Sequence, residues 1–193
     1  MFDVQEILTN LAIVMELCEG NVSQLLKQQS GRPLAVSDIH QILRHMTYAL
    51  IELNSFNIIH RDIKPANILF CHDRFGQFQY KLTDFGVSRV LTDGCLASTL
   101  TGSLGYYAPE ALKEKKYDAR CDVWSLGMVL LECATGKYPF GKPKEYAQLC
   151  LNNGFQKIVE QSLVLIPISL SPILVKMLMV NKRTMTILIL GRR

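Results

Sequence analysis

A stretch of twelve residues in the second half of the chain has almost no polar face. Residues 123–134 are apolar on every side of a helix, and Gly136 follows them as a helix terminator. A helix of this kind is stable in water only when other elements surround it. The stretch therefore predicts a helix at the centre of a hydrophobic core, with neighbours packed around it.

The composition is compatible with such a core and excludes several classes of protein. The chain has 193 residues, of which 49% are hydrophobic and 20% charged, as in a globular chain of about one domain. A net charge of +4, without a block of basic residues, gives no reason to expect a nucleic-acid partner. The six cysteines form no C-x-x-C pair, which favours reduced thiols in a cytoplasmic, intracellular protein over disulfides or a zinc site.

We expect no membrane segment in this sequence. The first residues, MFDVQEIL, lack the basic region and the apolar core of a signal peptide. The most apolar stretch, residues 163–180, contains Pro167, Pro172 and Lys176. Because prolines interrupt a helix and a charge opposes insertion, this stretch is interpreted as a buried helix and loop.

The other periodicities predict a mostly helical α+β chain with short strands. An amphipathic helix is predicted over residues 38–54, with Ser37 as its N-cap. Short apolar runs predict strands over residues 11–17, 68–70 and 80–83. Pro143 is expected to open a further helix over residues 144–152.

Four short motifs carry the chemical signal. They are HRDIKPAN at residues 60–67, DFG at residues 84–86, APE at residues 108–110 and DVWSLG at residues 122–127. Any one of these triplets or phrases occurs by chance often. The four in this order, each in a suitable local context, form a specific pattern.

The ordered motifs resemble the C-terminal, or large, lobe of a eukaryotic protein kinase. The resemblance runs from residue 11 to about residue 183 and implies a protein kinase-like fold. It implies that residues 1–17 are a remnant of the small-lobe sheet, residues 18–21 the hinge and residues 22–193 the large lobe. Lys64 and Ser103 are similar to their counterparts in serine/threonine kinases rather than tyrosine kinases.

Two phrases, at residues 83–88 and 131–140, look most like MAP kinase kinases and their relatives. Short phrases of this kind recur across kinase groups. A MAP kinase kinase would phosphorylate both threonine and tyrosine, so dual specificity stays open.

The resemblance implies an ATP-dependent enzyme that phosphorylates serine or threonine in a protein substrate. Asp62 would orient the substrate hydroxyl and accept its proton, and Lys64 would reach the γ-phosphate. Asn67 and Asp84 are hard oxygen donors suited to Mg²⁺. Outside this context Asp62 would be an ordinary loop aspartate and Lys64 a solvated lysine.

The resemblance also implies an adenine site. Met15 would lie beside the adenine, and the carbonyl of Glu16 and the amide of Cys18 would bind its edge. Leu69 would pack beneath the ring, although an ordinary place in the strand core fits it equally well.

Several motif residues are assigned structural roles by the same resemblance. His60 is expected to be a packed scaffold residue, and Asp122 to hold the backbone of the catalytic loop. Phe85 would pack beneath the metal site, and Glu110 would pair with Arg183.

The departure with the largest consequence is the lack of a Gly-rich phosphate loop and a V-A-I-K lysine among the 193 residues. The resemblance therefore implies that most of the small lobe is missing, as in a truncated gene model, a splice fragment or a pseudokinase. A non-catalytic kinase-like binding module is the alternative function. The presence of Asp62, Asn67 and Asp84 together favours catalysis, although we expect residues 1–193 alone to bind ATP weakly.

We predict a regulatory phosphate, added by an upstream activating kinase, on the loop between residues 87 and 103. Thr99 is the preferred site and Ser98 the next, because a phosphate there could pair with Arg61 and order the segment. Mass spectrometry of active protein isolated from cells should find phosphate on residues 88–103. Full activity without any phosphate in this range would mean an unmodified Ser/Thr-rich loop.

Overall fold

The computed structural model describes residues 3–7, 10–86, 89–90, 103–114, 118–152 and 154–178. The helices in these ranges are α1 Val22–Gln28, α2 Val36–Ser55, α3 Pro109–Glu114, α4 Ala119–Thr135, α5 Pro143–Leu151, α6 Phe155–Leu163 and α7 Ser171–Leu178. The strands are β1 Asp3–Ile7, β2 Asn10–Val14, β3 Gly20–Asn21, β4 Ile58–Ile59, β5 Ile68–His72, β6 Phe78–Leu82 and β7 Arg89–Val90. The mostly helical α+β class is confirmed.

Helix α4 is the centre of the core, as its apolar sequence predicts. Every residue from 121 to 131 is buried, and α4 packs against α2 on one side and α7 on another. The helix begins earlier than predicted because the Asp118 side chain caps it, accepting the Arg120 N–H at 2.8 Å. It ends at Gly136, whose φ of 77° is the left-handed conformation favoured at helix ends.

Helix α2 buries one face against the core. Its buried residues, Ile39, Ile42, Met46 and Leu50, follow the predicted helical spacing. The predicted N-cap at Ser37 is wrong, because the helix begins at Val36 and Ala35 caps it without a side-chain hydrogen bond. The preceding loop is fixed instead by the Leu34 N–H, which donates to the Cys133 carbonyl of α4 at 2.9 Å.

A three-stranded antiparallel sheet in the order β3–β5–β6 connects residues 20 and 21 to the motif residues. Ile68 pairs with Leu82, and Gly20 pairs with Phe70. The predicted strands over residues 68–70 and 80–83 correspond to β5 and β6, which extend towards the turn beginning at Asp73. We name β5, β6 and their turn the ribbon.

The predicted strand over residues 11–17 corresponds to β2, which pairs with β1 in an antiparallel hairpin and ends at Val14. The segment from Met15 to Cys18 has no regular secondary structure. A separate short pair joins β4 to β7, with Ile58 opposite Val90.

The apolar stretch near the end of the chain contains α7, whose residues Leu174, Met177 and Leu178 are buried against the core. The connection before α7 leaves Val164 and Ile168 exposed. Within the described ranges, none of the helices has the length and apolar character needed to cross a membrane.

Two glycines with left-handed backbone give a matched test of the α4 terminus. Gly76 (φ 73°) lies in the open ribbon turn, whereas a methyl group on Gly136 would overlap the backbone of Gly31 and Arg32. Gly76→Ala should lower the free energy of unfolding by about 1–2 kcal/mol, the cost of the left-handed conformation. Gly136→Ala should lower it by about 1–3 kcal/mol more, because the overlap adds packing strain. Equal losses in chemical denaturation would mean that this close approach does not matter.

Candidate active site

Helix α4 holds the loop formed by residues 60–67, which we name the catalytic loop. The Asp122 carboxylate accepts the backbone N–H of His60 at 2.8 Å and that of Arg61 at 3.0 Å. Asp122 and His60 are both buried. The predicted anchoring of the loop by Asp122 is confirmed.

Burial raises the pKa of Asp122 to about 6, although the two N–H donors and the Arg61 charge act in the opposite direction. At pH 7 the side chain is therefore mainly a carboxylate. A carboxylate can accept both N–H groups, one on each oxygen.

The backbone of the catalytic loop turns sharply at Arg61. Its φ of 72° lies in the left-handed region, which costs a residue with a side chain about 1–2 kcal/mol. The N–H that Asp122 accepts belongs to this same residue, so the helix anchor stabilises the turn. The turn leads directly into Asp62.

The Asp62 carboxylate is surrounded by hydrogen-bond donors. Lys64 Nζ lies 2.6 Å and Asn67 Nδ2 lies 3.0 Å from Oδ2. The Ser103 N–H donates to Oδ1 at 2.9 Å. Burial raises the pKa of Asp62, but the donors on Lys64 and Ser103 outweigh it, so the pKa lies below the ordinary value. Asp62 is therefore an anion at neutral pH.

Ser103 completes this network from a distant part of the chain. Besides its N–H bond to Asp62, its hydroxyl accepts a hydrogen bond from Lys64 Nζ at 3.0 Å. In the sequence Ser103 was only an indicator of substrate class, and its contact with both predicted catalytic residues was not predicted. Its separation of 39 residues from Lys64 gives no local pattern from which to infer the contact.

The predicted metal ligands lie at one end of the ribbon. The Thr83 N–H donates to the Asn67 carbonyl at 3.0 Å, next to the pair of Ile68 with Leu82. Asn67 therefore precedes β5 at the end of the ribbon where Asp84 follows β6.

The two side chains suit an oxygen-preferring cation. Asn67 is buried and uses Nδ2 as a donor to the Asp62 backbone carbonyl and carboxylate, which directs its amide nitrogen towards Asp62. Asp84 is exposed and has a φ of 65°, in the left-handed region. An amide oxygen and a carboxylate are ligands that Mg²⁺ accepts in proteins.

His60 joins the catalytic loop to the DFG motif. Its Nε2 lies 3.0 Å from the Thr83 carbonyl, and its Nδ1 accepts the Asp62 N–H at 3.3 Å. The ring meets the Phe85 ring edge-on at 5.0 Å. Burial lowers the pKa of His60, so the ring is neutral at pH 7 and serves as a packed connector.

The residues predicted to bind adenine lie along the segment between β2 and β3. Met15 and Leu17 are exposed, whereas Cys18 is half-buried. Glu16 contacts the ribbon through Lys81, and Leu69 is the cross-strand partner of Lys81. The geometry therefore brings Glu16 to the side of the ribbon that carries Leu69.

A row of hydroxyl groups, which was not predicted from the sequence, fixes the segment after Ser103. Tyr138 donates to the Gly105 carbonyl at 2.5 Å, and Ser125 donates to the Tyr106 carbonyl at 2.8 Å. Tyr146 donates to the next carbonyl, that of Tyr107, at 2.5 Å. Residues 105–107 are thus held on α4, α5 and the loop between them, beside the Asp62 network.

Some predicted sites fall outside the described residues. These are Ser98, Thr99 and the Arg183 partner of Glu110.

Comparison with known proteins agrees with this geometry. Residues 1–182 match the protein kinase domain family. The chain is 40% identical over 139 residues to the serine/threonine-protein kinase unc-51 of Caenorhabditis elegans, an alignment that covers 68% of this chain and 16% of that protein. It is 39% identical over 138 residues to mitogen-activated protein kinase kinase 2 of Arabidopsis thaliana, covering 70% of this chain and 36% of that protein. It is 36% identical over 146 residues to human serine/threonine-protein kinase ULK1, an alignment that covers 72% of this chain and 14% of that protein.

The chain belongs to the protein kinase domain family, and its relatives include serine/threonine-protein kinases. The chain spans only part of the length of these three relatives, from 14% of the human protein to 36% of the Arabidopsis protein. The resemblance to MAP kinase kinases is matched by relatives of that group, beside relatives of the unc-51 group.

The anchor on α4 can be tested by removing it. Asp122→Ala leaves two buried N–H donors without an acceptor and should lower the free energy of unfolding by about 2–5 kcal/mol. Asp118→Ala, on the same helix, removes an N-cap and should cost only about 1 kcal/mol. Hydrogen exchange of the His60 and Arg61 amides should accelerate in Asp122→Ala relative to Asp118→Ala. Unchanged exchange at these two amides would contradict the anchoring.

Proposed function

We propose that this chain carries the catalytic centre of a protein serine/threonine kinase, which transfers the γ-phosphate of ATP to a protein hydroxyl. The observation that supports it most is the Asp62 carboxylate, held on both oxygens by Lys64, Asn67 and Ser103. An anion fixed in this way can orient a hydroxyl and accept its proton.

Lys64 serves as the cation of the transfer step. Its Nζ is within reach of both Asp62 and Ser103, and its side chain is about a quarter exposed, at 25%. An ammonium group at this position can contact the phosphoryl group while Asp62 holds the attacking hydroxyl. Because charge on the transferred group is balanced by fixed donors, no large rearrangement is needed during the reaction.

Asn67 and Asp84 would hold Mg²⁺ at the end of the ribbon, next to Asp62. The bound ion would neutralise phosphate charge. The His60 bridge between the catalytic loop and Thr83 keeps the metal ligands and the base at a fixed spacing. This spacing is what positions the phosphate relative to the hydroxyl.

The fixed segment of residues 105–107 is proposed as the support for the protein substrate. It begins two residues after Ser103, so a peptide lying on it would bring its hydroxyl to Asp62. Serine or threonine is the proposed acceptor, because Lys64 and Ser103 resemble their counterparts in serine/threonine kinases. Since the reaction uses ATP and the described cysteines are free thiols, we also propose an intracellular location.

The proposal predicts that Asp62→Asn lowers phosphate transfer about 10²–10⁴-fold, because the amide cannot accept the proton. The assay measures transfer from γ-labelled ATP to a generic basic protein. It is run with the 193-residue chain and with a chimaera in which a small lobe from a kinase relative precedes Met15, since the 193 residues hold no G-x-G-x-x-G sequence. Glu160→Gln, an exposed change on α6, is the control for lost charge.

Transfer that persists in Asp62→Asn would contradict the role of Asp62. Mg²⁺-dependent ATP binding by both the 193-residue chain and the chimaera, with no transfer by either, would instead identify a non-catalytic kinase-like binding module. Asp84→Ala tests the metal site in either case, because it should abolish the Mg²⁺ dependence of nucleotide binding whether or not transfer follows.

A further inference from the structure

The segment from Met15 to Cys18 is tied to the ribbon by an ion pair. Lys81 Nζ lies 2.6 Å from Glu16 Oε1 and 2.5 Å from Oε2, so the ammonium group contacts both carboxylate oxygens. Cys71 Sγ lies 3.7 Å from the same Oε1. The Glu16 side chain is therefore held by two neighbouring strands of the ribbon.

The chain that follows this segment is attached differently. It is fixed by backbone bonds, since the Glu19 N–H donates to the Phe70 carbonyl at 3.0 Å and Gly20 pairs with Phe70. Within the segment, the side chains of Met15 and Leu17 are 62% and 93% exposed. Glu16 lies between these two exposed residues, and its side chain attaches the segment to the ribbon.

The register of the ribbon shows which of its faces the Glu16 side chain contacts. Lys81 is the cross-strand partner of Leu69, and opposite residues of an antiparallel pair point to the same face. Cys71 lies two positions after Leu69 and points to that face as well. The Glu16 carboxylate is thus held over the face that carries Leu69, the proposed floor of the adenine site.

The charges agree with a formed pair. The hydrogen bond from Lys81 lowers the pKa of Glu16, and the same bond raises the pKa of Lys81. Both side chains are partly exposed, at 37% for Lys81 and 44% for Glu16, so salt screens their attraction.

We propose that Lys81 is a positioning residue for adenine recognition: by holding the Glu16 side chain, it orients the Glu16 carbonyl and the Cys18 amide towards the edge of the adenine ring. Lys81 does not touch the nucleotide in this proposal. The inference rests on the proposed ATP site and adds a residue outside the four motifs. It also links the segment from Met15 to Cys18 to Asp84, which follows Lys81 by three positions and lies just after the end of β6.

The test compares Mg-ATP with Mg-tripolyphosphate, which has the phosphates but no adenine, by calorimetric titration of the full 193-residue chain and of the chimaera. Lys81→Met should weaken Mg-ATP binding about two- to five-fold, as expected for a partly exposed ion pair. Binding of Mg-tripolyphosphate should not change. Lys157→Met, an exposed lysine on α6, is the control and should change neither.

Two further variants separate positioning from a general loss of stability. Lys81→Arg keeps the charge and should restore Mg-ATP binding, as should the exchanged pair Glu16→Lys with Lys81→Glu. The thermal midpoint of Lys81→Met should stay close to that of Lys157→Met. High salt should reduce the difference between wild type and Lys81→Met, because the pair is screened.

The outcomes distinguish this inference from the proposed function. Equal Mg-ATP affinity in wild type and Lys81→Met overturns the positioning role while leaving the ATP site intact. Equal loss of Mg-ATP and Mg-tripolyphosphate binding also overturns it, because Lys81 would then act on the phosphates. Failure of the wild type to bind either compound in both the chain and the chimaera would overturn the proposed ATP site and this inference with it.

Discussion

The candidate active site depends on one buried carboxylate. Asp122 lies on the helix that the whole core surrounds, and it accepts the backbone N–H groups of His60 and Arg61. A hydrogen bond to a buried charge is stronger than a neutral one, and losing it leaves buried donors unsatisfied. The catalytic loop is thus attached to the most deeply buried helix described, although the loop itself has little regular secondary structure.

Further contacts connect this anchored loop to the rest of the candidate site. The left-handed turn at Arg61 presents Asp62, whose carboxylate is fixed by Lys64, Asn67 and Ser103. His60 connects the same loop to Thr83, and the ribbon connects Thr83 to the segment between β2 and β3 through Lys81 and Glu16. The proposed base and Asn67 therefore share one hydrogen-bond network, and the backbone of the ribbon joins this network to Asp84 and to the Glu16–Lys81 ion pair.

Local sequence patterns predicted much of this arrangement. The apolar run of residues 123–134 predicted the central helix, and the spacing of Ile39, Ile42 and Met46 predicted the buried face of α2. The ordered motifs also predicted the anchoring role of Asp122. The start of α2 was predicted wrongly, since Ala35 rather than Ser37 is its N-cap. A tertiary hydrogen bond from the Leu34 N–H to α4 fixes the loop that leads into this helix.

What the sequence by itself determined is the family, the mostly helical class and the identity of the motif residues, because these follow from short-range spacing. Only the tertiary structure decided that Ser103 contacts Lys64 and that Lys81 holds Glu16, across separations of 39 and 65 residues. It also decided that hydroxyl groups from α4 and α5 fix residues 106 and 107. Such contacts depend on how separate elements pack around α4, and no periodicity or local spacing records the relative position of residues so far apart along the chain.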